Sequence, residues 1–163
     1  MIVLSFISPT FGKVTEASLA MQVHAYMKED PNASYRIVIG TDSQTNKNAT
    51  VFVTAFIIHR IGKGARFYFQ KSKHPPMKSL HRRIYKETEL SLNLMEFLKN
   101  SGISKILADW PVEIHLDVGK EGETRKLIQE VVGWVTAVGY VARIKPYAYG
   151  ASAVADKYTK SIG

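Results

Sequence analysis

The hydrophobic positions of the chain first predict a group of β-strands. Three segments are rich in β-branched and aromatic residues, and turn-prone residues separate them: residues 35–41, 50–60 and 65–71. Such composition is typical of strands, and short connections favour antiparallel neighbours. The first segment contains an unbroken Ile-Val-Ile run, which indicates a strand buried on both faces. We therefore expect an antiparallel meander built around residues 35–41.

Elsewhere, apolar residues recur every three or four positions, which is the spacing of one helix face. This spacing predicts helices over residues 15–28, 79–100, 124–138 and 150–160. Strand-like segments at residues 112–118 and 140–144 alternate with these helices, whereas residues 103–108 are ambiguous. Right-handed β-α-β crossovers would place both strands parallel to the first.

The resulting fold class is α/β, with a mixed five-stranded sheet of three antiparallel and then two parallel strands. Helices are expected on both faces of this sheet, together with an extra N-terminal helix. Residues 1–34 are expected to form an N-terminal arm and helix, and residues 35–163 one compact domain. A chain of 163 residues fits one such unit.

The amino-acid composition excludes some kinds of functional site and favours one class of partner. The chain has no cysteine, which excludes disulfides, thiolate metal sites and cysteine nucleophiles and favours the reducing cytoplasm. No apolar run approaches the length of a membrane span. The formal net charge of +8 and the pI of about 9.6 favour a polyanionic partner, nucleic acid first, although basicity can also serve solubility alone.

Two aspartates close strands that are expected to be parallel neighbours. Asp42 ends the first predicted strand and Asp117 ends the fourth. Both would then emerge at the carboxyl edge of the sheet, where open α/β sheets bind ligands. Either residue alone could instead form a turn or cap a helix.

Two further acids lie on predicted helices. Glu87 falls on the apolar stripe of the helix at residues 79–100, whereas Glu89 lies on its polar side. A carboxylate among core-facing residues needs a partner, either a divalent cation or a basic residue such as Arg83. Asp156 lies among small residues of the last helix, and could face the sheet or remain a surface acid.

Four converging oxygen donors would suit Mg²⁺ or Mn²⁺. Two such ions would clamp both sides of an in-line phosphoryl displacement. This chemistry needs no nucleophilic side chain. It therefore suits a chain that lacks cysteine and shows no evident Ser-His pair.

Several segments together resemble the ribonuclease H-like family, specifically its YkuK-like branch. They are IGTDSQ at 39–44, ETELS at 87–91, HLDVG at 115–119, and KPYAYGAS with ADKYTK within 145–160. The resemblance extends from about residue 36 to residue 160. It implies that Asp42, Glu87, Asp117 and Asp156 stand at the acidic, metal-binding and catalytic positions of that fold.

No acid occurs between residues 60 and 86, although this interval holds many basic residues. Such a run beside a metal site could follow a phosphate backbone, or it could be a solvated basic face. The residues expected to contact nucleic acid are Lys71, Lys73, Lys78, Arg82, Arg83 and Lys120. Tyr68 could stack on a base or lie in the core, His115 could transfer protons or be structural, and His81 could contact phosphate.

The sequence thus predicts a metal-dependent nuclease that hydrolyses phosphodiester bonds of DNA or RNA with two Mg²⁺ or Mn²⁺ ions. Three other functions stay open. They are a non-catalytic nucleic-acid-binding module on the same fold, a nucleotide phosphohydrolase using the same edge, and a scaffold with a vestigial site. The oligomeric state is left open.

Overall fold

A seven-stranded mixed sheet forms the centre of the protein in the computed structural model, which describes residues 5–118 and 125–145. Its strands in chain order are β1 (Ser5–Ser8), β2 (Gly12–Thr15), β3 (Tyr35–Thr45), β4 (Thr50–Arg60), β5 (Gly64–His74), β6 (Val112–His115) and β7 (Val141–Arg143). Their order across the sheet is β2-β1-β5-β4-β3-β6-β7. The prediction of an α/β fold with a mixed sheet is confirmed, but the predicted number of five strands is wrong.

Strand β3 lies inside the sheet, as its apolar sequence predicted. It pairs antiparallel with β4 along its whole length, and β4 pairs in the same way with β5. On its other side, β3 pairs with β6 in parallel, and β6 pairs in parallel with β7. Because β6 pairs with β3 only up to Gly40, the last residues of β3 project beyond it.

The two strands beyond the predicted five form an N-terminal hairpin. β1 and β2 pair antiparallel, and Ile7 of β1 lies opposite Phe69 of β5. Each strand has four residues and places few apolar side chains in the core, chiefly Phe6 and Val14. So short an alternation is too weak to distinguish a strand from a loose arm. The division at residue 34 stays a prediction, and the hairpin shares the core of the following elements.

All four described helices pack against one face of the sheet. They are α1 (Glu16–Glu29), α2 (Leu80–Lys99), α3 (Ser104–Asp109) and α4 (Arg125–Val138). Their buried residues form one cluster with strand residues of that face, including Ile39, Phe56 and Ile114. The opposite face carries a separate small cluster, Val38, Ala55 and Ile57, which Ala65 and Phe67 flank. The predicted helix at 150–160 lies outside the described residues. The prediction that helices cover both faces of the sheet is therefore not tested.

Helix α2 carries the predicted glutamate and is fixed at its start. The Ser79 side chain accepts a hydrogen bond from the Arg82 amide, which satisfies a free N–H of the first turn. From there α2 packs its apolar stripe, which includes Ile84, Leu94 and Leu98, against the sheet. Glu87 is buried on this same stripe. No helix in the described part of the chain is long and apolar enough to cross a bilayer.

Candidate metal centre

Three acids converge where β3 extends beyond its parallel neighbour. Asp42 lies near the end of β3, Glu87 on α2, and Asp117 two residues after β6. One carboxylate oxygen from each lies within 4.8 Å of the others. Glu87 is buried, whereas Asp42 and Asp117 are half-buried. The sequence-predicted convergence of strand ends and helix stripe is therefore present for these three residues.

Glu87 has a strongly perturbed carboxyl group. Burial raises its pKa to about 8, and the neighbouring charges of Asp42 and Asp117 act in the same direction. The Ser43 hydroxyl donates a hydrogen bond of 2.5 Å to Glu87 Oε2 and opposes this rise. Arg83, one turn earlier on α2, donates from Nε to Ser43 Oγ over 3.2 Å. Arg83 therefore reaches the acid cluster through Ser43.

Asp117 has a different environment. Its Oδ1 lies 2.8 Å from Nζ of Lys145, just after β7. Burial alone would raise the pKa of Asp117, but the hydrogen bond and positive charge of Lys145, together with the charge of Arg83, act in the opposite direction, and the pKa is lowered. The same contact raises the pKa of Lys145. The cluster thus combines a glutamate that resists ionisation with an aspartate that is held ionised.

This donor set fits a hard divalent cation. Carboxylate oxygens are the preferred ligands of Mg²⁺ and Mn²⁺. Asp42, Glu87 and Asp117 could each supply one oxygen from within a space of 4.8 Å. Burial is the main cause of the raised pKa of Glu87, and a bound cation would offset the additional repulsion from Asp42 and Asp117.

The other predicted site residues are placed differently. Asp156 and Lys120 lie outside the described residues. Arg83 is half-buried and turned towards Ser43, whereas the remaining predicted contacts are exposed: Lys71, Lys73, Lys78 and Arg82. Lys71 lies opposite Val53, which lies opposite Asp42, so Lys71 and Asp42 share a row about 10 Å apart on one face of the sheet.

The basic run of residues 60–86 does not form one surface. Arg60 stacks on the Tyr26 ring and Lys63 pairs with Asp30, while Arg66 lies over Phe11 and Tyr26. These three basic residues occupy the end of the sheet remote from the acids, since β4 and β5 are each 11 residues, or about 35 Å, long. Only the later part of the run, from Lys71 onwards, lies near the acid cluster.

Sequence reasoning missed Ser43 and Lys145 as members of the site. Ser43 directly follows Asp42 in β3. Alternate strand residues point to opposite sides of the sheet, and Ser43 points to the side on which α2 packs. Lys145 follows β7, and β7 is next to β6. The proximity of Lys145 to Asp117 could therefore be predicted only with knowledge of the strand order.

Two residues with alternative roles in the sequence interpretation are buried in the structure. Tyr68 lies in the core at 1% exposure. His115 is buried, with Nε2 3.3 Å from Glu113 Oε1.

Replacing Ser43 with alanine is expected to destabilise the metal-free protein by about 1–2 kcal/mol at pH 7. The change removes the hydroxyl that donates to Glu87 and accepts from Arg83. Urea unfolding would measure it, with exposed Thr136→Ala on α4 as the control for loss of a hydroxyl. Equal stabilities of Ser43→Ala and wild type would show that this hydroxyl does not support the cluster.

Comparison with known proteins agrees with this fold. A family described as Ribonuclease H-like matches residues 18–160. The chain belongs to this ribonuclease H-like family. It is also 36% identical over 166 residues to the protein named "Uncharacterized protein YkuK" from Bacillus subtilis (strain 168). That match covers 92% of this chain and 96% of the relative, which confirms the resemblance to the YkuK-like branch.

Proposed function

We propose that the protein is a metal-dependent nuclease that hydrolyses phosphodiester bonds in DNA or RNA. The observation that carries this proposal is the convergence of Asp42, Glu87 and Asp117, whose oxygens approach within 4.8 Å. Membership of the ribonuclease H-like family supports it. A cytoplasmic setting, expected from the absence of cysteine, belongs to the same proposal.

In this proposal the three acids hold Mg²⁺ or Mn²⁺, with two ions when Asp156 completes the set. The ions would supply Lewis-acid activation of water and stabilisation of the leaving oxygen. Ser43 and Arg83 orient the Glu87 carboxylate, because Ser43 contacts both of them. Lys145 balances the charge of Asp117 and places an ammonium group at the edge of the site.

Nucleic acid would approach across the sheet face that carries Asp42. Lys71 and Lys73 are exposed on β5 of that face, in line with Asp42 and Gln44 respectively. At the start of α2, Lys78 and Arg82 add two exposed cations. These four exposed basic groups could position a phosphate backbone without reading its sequence. Lys120, in the segment after Asp117, is proposed to join them.

The proposal is tested by incubating the wild-type protein with labelled single-stranded DNA, single-stranded RNA and an RNA–DNA hybrid, in Mn²⁺, Mg²⁺ or chelator. We expect shorter products from at least one polymer, in the presence of metal only. Salt-dependent binding without any cleavage would instead identify a non-catalytic binding module. Hydrolysis of mononucleotides but not polymers would identify a nucleotide phosphohydrolase.

Replacing Lys145 with methionine is expected to raise the affinity of the site for Mn²⁺ about 5- to 10-fold. Lys145 Nζ lies 2.8 Å from a proposed ligand oxygen, so its charge opposes a second cation there. The repulsion between two unit charges at a partly solvated site is about 1 kcal/mol or slightly more, which corresponds to the expected change in affinity. Calorimetric titration would measure the affinity, with exposed Lys105→Met on α3 as the control. Unchanged or weaker Mn²⁺ binding by Lys145→Met would contradict this role.

A further inference from the structure

A ladder of aromatic rings extends along the contact between α2 and α4. The ring of His81 stacks on Tyr85, with centroids 4.7 Å apart and planes inclined by 25°. Tyr85 in turn stacks on Trp134 of α4, with centroids 5.8 Å apart and planes inclined by 29°. Tyr85 and Trp134 pack against the hydrophobic core, which anchors the ladder. His81 is its outer ring, and its side chain is 60% exposed.

Glu130 on α4 fixes the orientation of the two outer rings. The Tyr85 hydroxyl donates a hydrogen bond to Glu130 Oε2, and His81 Nε2 lies 3.5 Å from the same oxygen. The polar edges of both rings are thereby directed to one carboxylate. The flat face of His81, rather than its edge, is then the part that a ligand can cover. A flat, rigidly held ring face is suited to stacking on another planar π-system.

The surroundings of the ladder favour a polyanionic ligand. Arg82 and Lys78 are exposed beside His81 at the start of α2, and Lys126 is exposed one turn before Glu130 on α4. His81 precedes Glu87 by six residues on the same helix, which corresponds to about 9 Å along the axis. A nucleic-acid strand with a phosphate at the acid cluster would therefore need to extend only a short distance to reach His81.

We propose that His81, backed by Tyr85 and Trp134, is a stacking platform for an unpaired base of a nucleic-acid strand that enters the acid site. This inference rests on the proposed function, and it specifies the substrate as single-stranded or locally unpaired next to the scissile phosphate. A base stacked inside a duplex cannot present its face to the ring, whereas an unpaired and unstacked base can. Stacking on aromatic side chains is also tolerant of sequence, so the platform would select unpaired structure rather than a base type.

The test is oligonucleotide binding measured in chelator, so that it does not depend on cleavage. A labelled single-stranded oligonucleotide is compared with a series in which one abasic position is moved along it. For the wild type, we expect one abasic position to weaken binding about 5- to 150-fold, the range of one base–aromatic stack. His81→Ala should weaken binding of the intact strand by a similar factor. The abasic position and His81→Ala together should weaken it no further, because both remove the same contact.

Two variants test whether binding depends on the aromatic ring of His81, rather than on its charge or on the loss of any surface histidine. His81→Tyr retains a stacking ring and should bind the intact strand within about twofold of wild type. His24→Ala removes another exposed helical histidine, on α1, and should leave binding unchanged. Equal affinity of the wild type for all abasic strands, additive losses with His81→Ala, or no binding of single strands would each overturn the platform. Absence of cleavage with these binding results intact would overturn only the nuclease proposal.

Discussion

Replacing Asp42 with asparagine is expected to lower metal-dependent cleavage more than about 100-fold without unfolding the protein. Asp42 belongs to the three-acid cluster, and removing even outer-shell partners of a metal typically lowers affinity or activity 10- to 100-fold. Asparagine retains a side-chain oxygen that can accept the hydrogen bond from the Ser43 amide, which Asp42 Oδ1 accepts over 2.8 Å. It also removes one negative charge beside Glu87, so the fold should not be weakened.

Cleavage rates and thermal unfolding of Asp42→Asn and wild type would be measured under the same metal conditions. The matched control is Asp109→Asn, which changes an exposed aspartate at the end of α3. Wild-type rates from the control and strongly reduced rates from Asp42→Asn at unchanged Tm are the expected pattern. Retained cleavage by folded Asp42→Asn would remove Asp42 from the proposed metal site.

The second large effect concerns Glu87 and pH. Its pKa in the folded protein is about 8, against an ordinary value of 4.5. Between pH 4.5 and about pH 8, the Glu87 carboxyl group is protonated in the folded protein but mostly ionised in the unfolded protein. The free energy of unfolding therefore falls as the pH rises through this range. One pKa unit corresponds to about 1.4 kcal/mol, which limits the total loss to roughly 4–5 kcal/mol in metal-free protein. The loss should be complete slightly above pH 8.

Glu87→Gln should remove this pH dependence. In chelator above pH 8, we expect the variant to be more stable than wild type by up to a few kcal/mol. Near pH 4.5 the two proteins should be similar, because wild-type Glu87 is then protonated. Added Mn²⁺ should reverse the order at high pH by stabilising only the wild type.

The matched control for this experiment is Glu89→Gln. Glu89 lies two residues further along α2 and pairs at the surface with Lys86 over 3.0 Å. Its replacement should change neither the pH dependence of unfolding nor the response to Mn²⁺. Parallel pH profiles for wild type and Glu87→Gln would show that Glu87 ionises normally, and would contradict the strong perturbation of its carboxyl group by burial and by the two aspartates.

Much of the central sheet and the acid cluster could be predicted because local pattern and final structure agree. β3, β4 and β5 have strong strand composition and short connections, and the structure pairs them as expected. The apolar stripe of α2 placed Glu87, rather than Glu89, towards the sheet, and Glu87 is the buried residue of the two. Strand ends and helix faces are local properties, which explains why three acids could be assigned to one edge.

The missed features depend on contacts between distant parts of the chain. The contact between Lys145 and Asp117 follows from the position of β7 beside β6. The basic run was continuous in sequence, but the hairpin between β4 and β5 directs its first part to the opposite end of the sheet. The His81–Tyr85–Trp134 ladder likewise joins two helices, and the spacing of its members on either helix alone does not reveal it.

Calorimetric titration of Mn²⁺ into the wild type and Asp42→Asn tests the central claim most directly. The claim is that Asp42, Glu87 and Asp117 form a site for divalent cations. We expect saturable heat of Mn²⁺ binding from the wild type and from Asp109→Asn. Asp42→Asn should show no such heat. Identical titrations of wild type and Asp42→Asn, whether both saturable or both featureless up to millimolar Mn²⁺, would contradict it.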